Sequence, residues 1–204
     1  MSDGGSTGGI SEAELARLAR EPVFKGIPDS ERRHLGAIAR RQSMKSGSFF
    51  LREGNTPERV AYVGWGLFRV FFITAQGEER TMAFRGAGRL LSGYTSSLKR
   101  RPAAYSIQAI EDAVLYWLSL AAVDELMRRH RCWPELATRY AQLLFIEKER
   151  REREFLSLSA EARYAAFRAQ YPGLEERIPQ YLVASFLGIS PVTLSRIRGN
   201  PSGR

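Results

Sequence analysis

The stretch that decides the fold of the C-terminal region is Leu182-Val183-Ala184-Ser185-Phe186-Leu187-Gly188-Ile189-Ser190-Pro191-Val192-Thr193-Leu194. Apolar residues recur at the spacing of one helix face up to Phe186, which predicts a first helix over residues 179–187. Gly188 can take the left-handed backbone conformation that ends a helix. Ser190 is a favourable N-cap and Pro191 fits the first position of a second helix. The pattern therefore predicts a helix-turn-helix.

The second helix, residues 190–199, has an outward face that suits the major groove of DNA. Leu194 and Ile197 are expected to face inward. The outward side then carries Pro191, Val192, Ser195, Arg196 and Arg198. Arg196 is the expected base reader, because a guanidinium can donate two hydrogen bonds to guanine, worth roughly 1–3 kcal/mol of discrimination. Double-stranded DNA is therefore the expected partner.

The length, charge and cysteine count of the chain limit the class of protein to which it can belong. The chain has 204 residues, 44% of them hydrophobic, enough for one large or two modest domains. Its formal net charge of +9 favours polyanionic partners such as nucleic acid. No apolar run approaches the ~20 residues of a membrane span and no secretory signal is visible, so we expect a cytoplasmic protein without membrane contact. Cys132 is the only cysteine, which excludes an all-thiolate metal or iron–sulfur site.

The central part of the chain is predicted to be a β-domain. Short runs of β-branched and aromatic residues punctuated by glycine are typical of a sandwich or barrel. The predicted strands are residues 48–52, 59–63, 67–74, 79–84, 105–110 and 114–118, with a hairpin turn at residues 75–78. Side chains alternate between the two faces of a strand, and the pattern does not fix which member of each neighbouring pair points inward. The side chains expected inside are Phe49, Leu51, Val60, Tyr62, Val70, Phe72, Ile107, Ala109, Val114 and Tyr116.

Helical patterns flank the β-domain. The predicted helices are residues 11–20, 29–40, 120–130 and 133–155. The longest helix has an apolar seam at near-heptad spacing, formed by Leu136, Tyr140, Leu143 and Leu144. Glu147 and Arg151 follow at a spacing that supports the helix itself. We expect a homodimer through this helix, because two half-sites bind better than one; a helix packed only on its own barrel is the alternative.

Several blocks of sequence, in this order, resemble one known family over about residues 24–198. They are Phe50-Leu51-Arg52-Glu53-Gly54, Ala61-Tyr62-Val63, Gly66-Leu67-Phe68-Arg69, Gly77-Glu78-Glu79, Tyr105-Ser106-Ile107-Gln108-Ala109-Ile110-Glu111-Asp112, Gln180-Tyr181-Leu182 and Thr193-Leu194-Ser195-Arg196-Ile197-Arg198. The family is that of the bacterial Crp/Fnr transcription regulators. The resemblance implies an α+β protein with an N-terminal double-stranded β-helix (jelly-roll) domain of the cyclic-nucleotide-binding type, a long dimerisation helix and a C-terminal winged helix-turn-helix.

These expectations divide the chain into four parts. Residues 1–10 are too polar to pack and are expected to form a disordered tail. The β-domain is expected over residues 11–131, the dimerisation helix over 132–156 and the DNA-binding domain over 157–204. Because few residues follow the second helix, a wing is expected before it, near residues 169–177, or in rudimentary form.

In this family a glycine-rich corner of the β-domain holds the cyclic nucleotide. Here this effector corner is formed by residues 88–93, and it departs from the family's pattern. Relatives that bind cyclic nucleotides use a glutamate for the ribose, then an arginine and a hydroxyl for the phosphate. Gly93 stands at the glutamate position, and Ala103 and Ala104 stand at the other two. A phosphate buried without a cation is strongly unfavourable, so cyclic AMP is not expected to bind in the usual way; the effector is an unknown small molecule or absent. The candidate pocket residues are Arg89, Leu90, Leu91, Ser92, Gly93, Ala103 and Ala104.

The resemblance also assigns contacts to DNA. Gln180, Tyr181 and Thr193 match positions that contact phosphate, and Arg196 matches the guanine-reading position. Val192 stands where relatives often have an acidic residue, so the hydrogen bond to cytosine is missing. An apolar valine side chain could contact only the methyl group of thymine. RNA polymerase is a further expected partner.

Two other hypotheses come from different classes of protein. The first is a ligand-sensing or protein-docking β-domain protein whose terminal helices only pack and bind no specific DNA. The second is a β-barrel enzyme of cupin type. Such sites need several converging histidine and carboxylate ligands, and neither His34 nor His130 lies on a predicted strand. We therefore expect no enzymatic activity and no cofactor.

Overall fold

The computed structural model describes residues 7–99 and 101–199. The chain divides into two compact units, residues 1–72 with 84–141, and residues 73–83 with 142–204. Within the described ranges, every helix is too short or too polar to cross a bilayer.

The helices follow the predicted order. They are α1 (Glu12–Leu18), α2 (Asp29–Ile38), α3 (Tyr94–Lys99), α4 (Leu120–Arg129), α5 (Cys132–Ser157), α6 (Ala160–Gln170), α7 (Leu174–Arg177), α8 (Gln180–Leu187) and α9 (Pro191–Gly199), with a 3-10 turn at Pro22–Phe24. The strands are β1 (Thr7–Gly8), β2 (Arg40–Met44), β3 (Phe49–Leu51), β4 (Arg59–Trp65), β5 (Leu67–Ile73), β6 (Glu79–Gly86), β7 (Leu90–Ser92), β8 (Ser106–Ala109) and β9 (Ala113–Ser119).

Two sheets form the β-domain, in the strand orders β1-β2-β9-β4-β7 and β3-β8-β5-β6. The six predicted strands are all present, and the hairpin turn is confirmed, with Gly77 at a φ of 82°. The α+β prediction with an N-terminal β-domain and a helical C-terminal region is therefore confirmed.

The interior of the β-domain is apolar and lies between the two sheets. It is filled by Met44, Phe50, Leu51, Ala61, Val63, Phe68, Leu91, Ala103, Ile107, Ala109, Ala113 and Leu115. The predicted phase is wrong on β4 and β9, where Tyr62 and Tyr116 point away from this interior. They pack instead in a second core with Phe24, Leu126 and Trp133. Both faces of this sheet are covered, so apolar side chains occur at consecutive positions and the size of a side chain does not identify its face.

Three strands were not predicted. β2 reads Arg40-Arg41-Gln42-Ser43-Met44 and looks polar, although Gln42 and Met44 are buried. β7 occupies the glycine-bounded corner and pairs with β4, Val60 lying opposite Ser92. β1 pairs Thr7 with Gln42, so the disorder expected for residues 1–10 does not extend to this strand. Residues 1–6 of the expected tail lie outside the described residues.

Polar contacts join the N-terminal helices to the rest of the first unit. Ser11 and Glu14 form a capping box at the start of α1. Glu14 also accepts hydrogen bonds from Arg41 at 3.0 Å and from the Tyr116 hydroxyl at 2.8 Å. Burial alone would raise the pKa of Glu14, but the hydrogen bonds from Ser11 and Tyr116 and the charge of Arg41 lower it to about 2. This carboxylate therefore stabilises the unit in its ionised form.

The single cysteine and the two histidines occupy structural positions. Cys132 is buried, where it serves as a small core side chain. His130 is exposed, whereas His34 is half-buried and its Nε2 has no hydrogen-bond partner among the described residues.

The second unit is a helical domain that includes the hairpin of residues 73–83. Its buried side chains include Tyr164, Phe167, Leu182, Phe186 and Leu194. Residues 169–177, one of two alternatives for a wing, form instead the end of α6, a turn and α7. After Ser119, the described chain contains no strand at all. A wing in this segment is therefore excluded, because the left-handed Gly173 turns the chain directly into α7.

Candidate DNA-binding surface and effector corner

The turn between α8 and α9 is built from local hydrogen bonds. Gly188 ends α8 with a φ of 68°, and its N–H donates to the carbonyls of Ala184 and Ser185. A Cβ on Gly188 would lie 2.7 Å from a ring atom of Phe155, so both the backbone angle and the space require glycine here. The Ser190 hydroxyl accepts from the Thr193 N–H at 3.1 Å and caps α9. The predicted stop, turn and restart are confirmed.

One side of α9 is buried and the other is open. Leu194 is 1% exposed and fixes the inner face, while Val192 is 68% exposed on the outer one. Pro191, Ser195, Arg196 and Arg198 are exposed as well. The described residues offer Arg196 neither a hydrogen bond nor an ion pair. The outward face predicted for α9 is therefore present as a surface, with a guanidinium ready to donate.

The three residues predicted to contact phosphate differ in how exposed their side chains are. Tyr181 is 56% exposed at the start of α8. Thr193 is half-buried, with its hydroxyl 2.9 Å from that of Ser190. Gln180 turns its amide inward, because its Nε2 donates to the Glu175 carbonyl at 3.3 Å. Tyr181 is therefore the most accessible of the three.

Arg151 of α5 is a contact of this unit that sequence reasoning missed. Its guanidinium donates to the carbonyl of Phe186, at the end of α8, and to the carbonyl of Thr81 at 3.4 Å. The guanidinium carbon also lies 3.7 Å from the centre of the Phe186 ring and 4.7 Å from that of Phe155. Burial lowers the pKa of Arg151 to about 10. No local signal distinguishes this arginine from its neighbours in the charged run of α5.

The hairpin of residues 73–83 is attached to α8 by a second set of bonds. The Thr81 N–H donates to Ser185 Oγ at 2.9 Å, and the Ser185 hydroxyl donates to the Glu79 carbonyl at 3.1 Å. Arg151 and Ser185 thus connect three segments of the second unit that are distant in sequence. Together they fix α8, and through the turn α9.

The corner predicted to hold an effector has no room for a family-type glutamate. A Cβ on Gly93 would lie 2.3 Å from Pro57 and 3.1 Å from Leu51. Leu90 exchanges backbone hydrogen bonds with the Tyr140 hydroxyl, and Leu91 is 1% exposed in the core. The Ser92 carbonyl accepts from the Tyr105 hydroxyl at 3.1 Å.

The two consecutive alanines at the phosphate positions differ in their surroundings. Ala103 is buried and bonds through its backbone to Gly54 and Asn55, each at 2.8 Å, whereas Ala104 is exposed. Neither side chain offers a donor. Arg89 remains beside the corner, where its carbonyl accepts from the Val63 N–H at 2.9 Å.

The apolar seam of α5 divides into two parts. Leu136 packs against the second core of the first unit, and Tyr140 bonds to Leu90, so these two residues are used within the chain. Leu143, Phe145 and Ile146 are 51%, 68% and 59% exposed. The exposed part of the predicted seam therefore lies in the middle of the helix.

Comparisons with known proteins agree with this architecture. Residues 41–130 match the cyclic nucleotide-binding domain family. The catabolite activator protein of Thermus thermophilus is 28% identical, with 87% of this chain and 85% of that chain covered and a TM-score of 0.56. FixK2 of Bradyrhizobium japonicum is 16% identical over 79% of this chain and 83% of that chain, with a TM-score of 0.69. Among curated proteins, no match is found.

A third structure has the same fold. The c-di-GMP-responsive global regulator CLP of Xanthomonas campestris is 14% identical over 83% of this chain and 89% of that chain, with a TM-score of 0.69. In this chain, the domain that matches the cyclic nucleotide-binding family is followed by a long helix and a helix-turn-helix. The family match over residues 41–130 and the structure at 28% identity show that the chain is similar to Crp/Fnr regulators, as its sequence resemblance implied.

Proposed function

We propose that the chain is a sequence-specific DNA-binding transcription regulator that acts as a homodimer. The observation that carries this proposal is the open face of α9, where Arg196 is exposed and has no partner among the described residues. In the major groove, this guanidinium would donate to guanine, Val192 would contact a thymine methyl, and Tyr181 and Thr193 would contact phosphate. A regulator of this kind acts in the cytoplasm, where the DNA is.

Selection of bound sequences from random duplexes tests the proposal. The expected result is a site with two related half-sites, separated by about one turn of the double helix, because a two-fold dimer presents two recognition helices. The recovered duplex should also hold the protein in a gel shift at moderate salt, where a scrambled duplex releases it. Recovery of no common sequence would support the rival class, a sensing or docking protein without specific DNA binding.

The homodimer part of the proposal rests on the exposed apolar residues in the middle of α5. Leu143 and Ile146 lie one turn apart and are 51% and 59% exposed. The double substitution L143E/I146E should convert a dimer to a monomer in sedimentation velocity. Trp65→Glu, at a 58% exposed apolar position on β4, is the matched control and should stay dimeric. A wild-type monomer at micromolar concentration would contradict the proposal.

In this proposal residues 11–131 form the effector domain, 132–156 the dimerisation helix and 157–204 the DNA-binding domain. The effector domain does not take cyclic AMP in the family's usual way, because Gly93 excludes a larger side chain and Ala103 and Ala104 carry no donor. Calorimetric titration with cyclic AMP should give no saturable heat. A micromolar dissociation constant would contradict this part.

A further inference from the structure

Arg59 is a charged residue that is half-buried at the start of β4. It occupies the first position of β4, and side chains along a strand alternate between faces. Ala61 and Val63, two and four residues further on, are 0% exposed in the core between the sheets. Arg59 therefore points to the same interior, at one end of it.

The guanidinium of Arg59 meets one acceptor and two aromatic rings. Its Nη1 donates to Gln42 Oε1 at 2.9 Å, and its carbon lies 4.9 Å from the centre of the Phe50 ring and 5.6 Å from that of Trp117. No carboxylate of the residues placed by the structure lies within ion-pair distance. Burial lowers the pKa of Arg59, while the nearby charge of Glu58 opposes that change. The cation is thus partly desolvated and has little anionic compensation.

Trp117 adds a second donor at the same place. Its indole Nε1 is buried and has no hydrogen-bond partner in the described structure. Gln42 is 6% exposed, and its Oε1 is the acceptor already used by Arg59. A guanidinium has five N–H donors and an indole has one, and among the described residues the only hydrogen bond that these two groups donate is that to Gln42.

The cluster of Arg59, Gln42, Phe50 and Trp117 lies beside the effector corner. Val60, the residue after Arg59, pairs with Ser92, and Gly93 follows Ser92. Ala61 pairs with Trp117 on the other side of β4. Gly93, which stands at the position of the family's ribose-binding glutamate, is therefore close along the sheet to a cation and an N–H donor contributed by different strands.

We propose that Arg59 and Trp117 form a binding site for a small organic carboxylate whose flat or apolar body lies against Phe50. A planar carboxylate can accept two hydrogen bonds from the guanidinium fork, and the aromatic rings favour an apolar body. A doubly charged phosphate would need more cations than this site holds. As an effector site, this cluster depends on the proposed regulator, but ligand binding itself is measured without DNA.

Proton–nitrogen NMR of the indole groups tests the site directly. The chain has three tryptophans, so three indole signals are expected, and Trp117→Phe assigns that of Trp117. Benzoate is the probe, and neutral benzamide and inorganic phosphate are the comparisons. Benzoate should shift the Trp117 signal in a saturable way, and benzamide should not. Trp133, whose Nε1 donates to Glu31 at 2.9 Å, is the internal control and should stay unshifted.

Two substitutions separate binding from folding. Arg59→Gln should weaken benzoate binding at least about tenfold, and Arg59→Lys should weaken it less, because it keeps the charge and loses the fork. An unchanged Trp133 signal shows that each variant is folded. Trp117→Phe keeps the ring and should weaken binding severalfold in calorimetry.

Three results would overturn the site: no saturable shift with benzoate, equal shifts with benzoate and benzamide, or equal affinity in Arg59→Gln. A saturable shift with phosphate alone would overturn the organic carboxylate as the ligand class. Arg196→Ala should leave benzoate binding unchanged, so the failure of DNA recognition and the failure of this site are distinguishable.

Discussion

Each of the two compact units holds a half-buried arginine, and the two units satisfy it differently. Arg151 in the C-terminal unit donates to two backbone carbonyls and lies between Phe155 and Phe186. Arg59 in the β-domain has similar aromatic neighbours but a single amide acceptor. An arginine therefore stabilises the structure where its N–H donors are bonded to carbonyls, as at Arg151. Where most of its donors have no acceptor among the described residues, as at Arg59, they remain available to a ligand.

The largest expected effect is that of Arg151→Ala. The substitution removes two charge-assisted hydrogen bonds and leaves the Phe186 carbonyl without its donor, so the free energy of unfolding should fall by roughly 2–4 kcal/mol. Chemical denaturation measures it. Arg150→Ala is the matched control, because the Arg150–Glu154 pair at 3.6 Å is partly exposed and should contribute less than about 1 kcal/mol. Equal losses in the two variants would show that Arg151 has no special role.

Gly188→Ala tests the turn that Arg151 supports. The left-handed backbone disfavours alanine by roughly 1–2 kcal/mol, and the new Cβ meets Phe155, so we expect a total loss of about 2 kcal/mol. Gly199→Ala, where a Cβ meets nothing within 4 Å, should be neutral or stabilising. A neutral Gly188→Ala would contradict the geometry of the turn.

Glu14 provides a contrast within the first unit, since its charge is fully partnered while that of Arg59 is not. The pKa of Glu14 in the folded protein, about 2, lies below its ordinary value of 4.5. The stabilisation is therefore complete above about pH 4.5 and is lost as the pH falls through about 2. Glu14→Gln should cost about 1 kcal/mol at neutral pH and progressively less as the pH falls toward 2, in denaturation curves across this range. Glu12→Gln, at an exposed position of the same helix, is the control and should change the free energy of unfolding by less than about 0.5 kcal/mol at neutral pH.

The smallest effect is expected for Arg59→Ala. One hydrogen bond to Gln42 is lost, but a poorly compensated cation is removed as well, so stability should change by less than about 1 kcal/mol. A loss as large as that of Arg151→Ala would show that Arg59 is a structural side chain, and the difference between the two units would disappear.

The parts of the fold that could be predicted from the sequence depend on local signals. Gly188, Ser190 and Pro191 specify their turn through their own backbone preferences, and the hairpin at Gly77 is equally local. The polar strand β2 could not be recognised, because its burial comes from pairing with β9 rather than from its composition. Tyr62 and Tyr116 were misplaced because the helices cover the outer face of their sheet.

The candidate sites show the same division. The outward face of α9 follows from helical periodicity once the turn is known, so its exposed residues could be chosen from sequence. Arg59 and Arg151 could not, since each depends on partners from other elements: Gln42 and Trp117 for one, Thr81 and Phe186 for the other. Charge in a sequence does not reveal whether its partner is a carbonyl, an amide or a ligand.

The most direct test of the account is the ratio of affinities for a selected duplex and its scrambled counterpart, measured for wild type, Arg196→Ala and Arg128→Ala. Arg128 is an exposed arginine on α4, so its removal changes the net charge equally. We predict that Arg196→Ala lowers this ratio by roughly 10- to 100-fold, equivalent to the roughly 1–3 kcal/mol of one guanine contact, while Arg128→Ala preserves it. An equal loss of Arg196→Ala affinity on both duplexes would contradict the assignment of α9 as the reading helix.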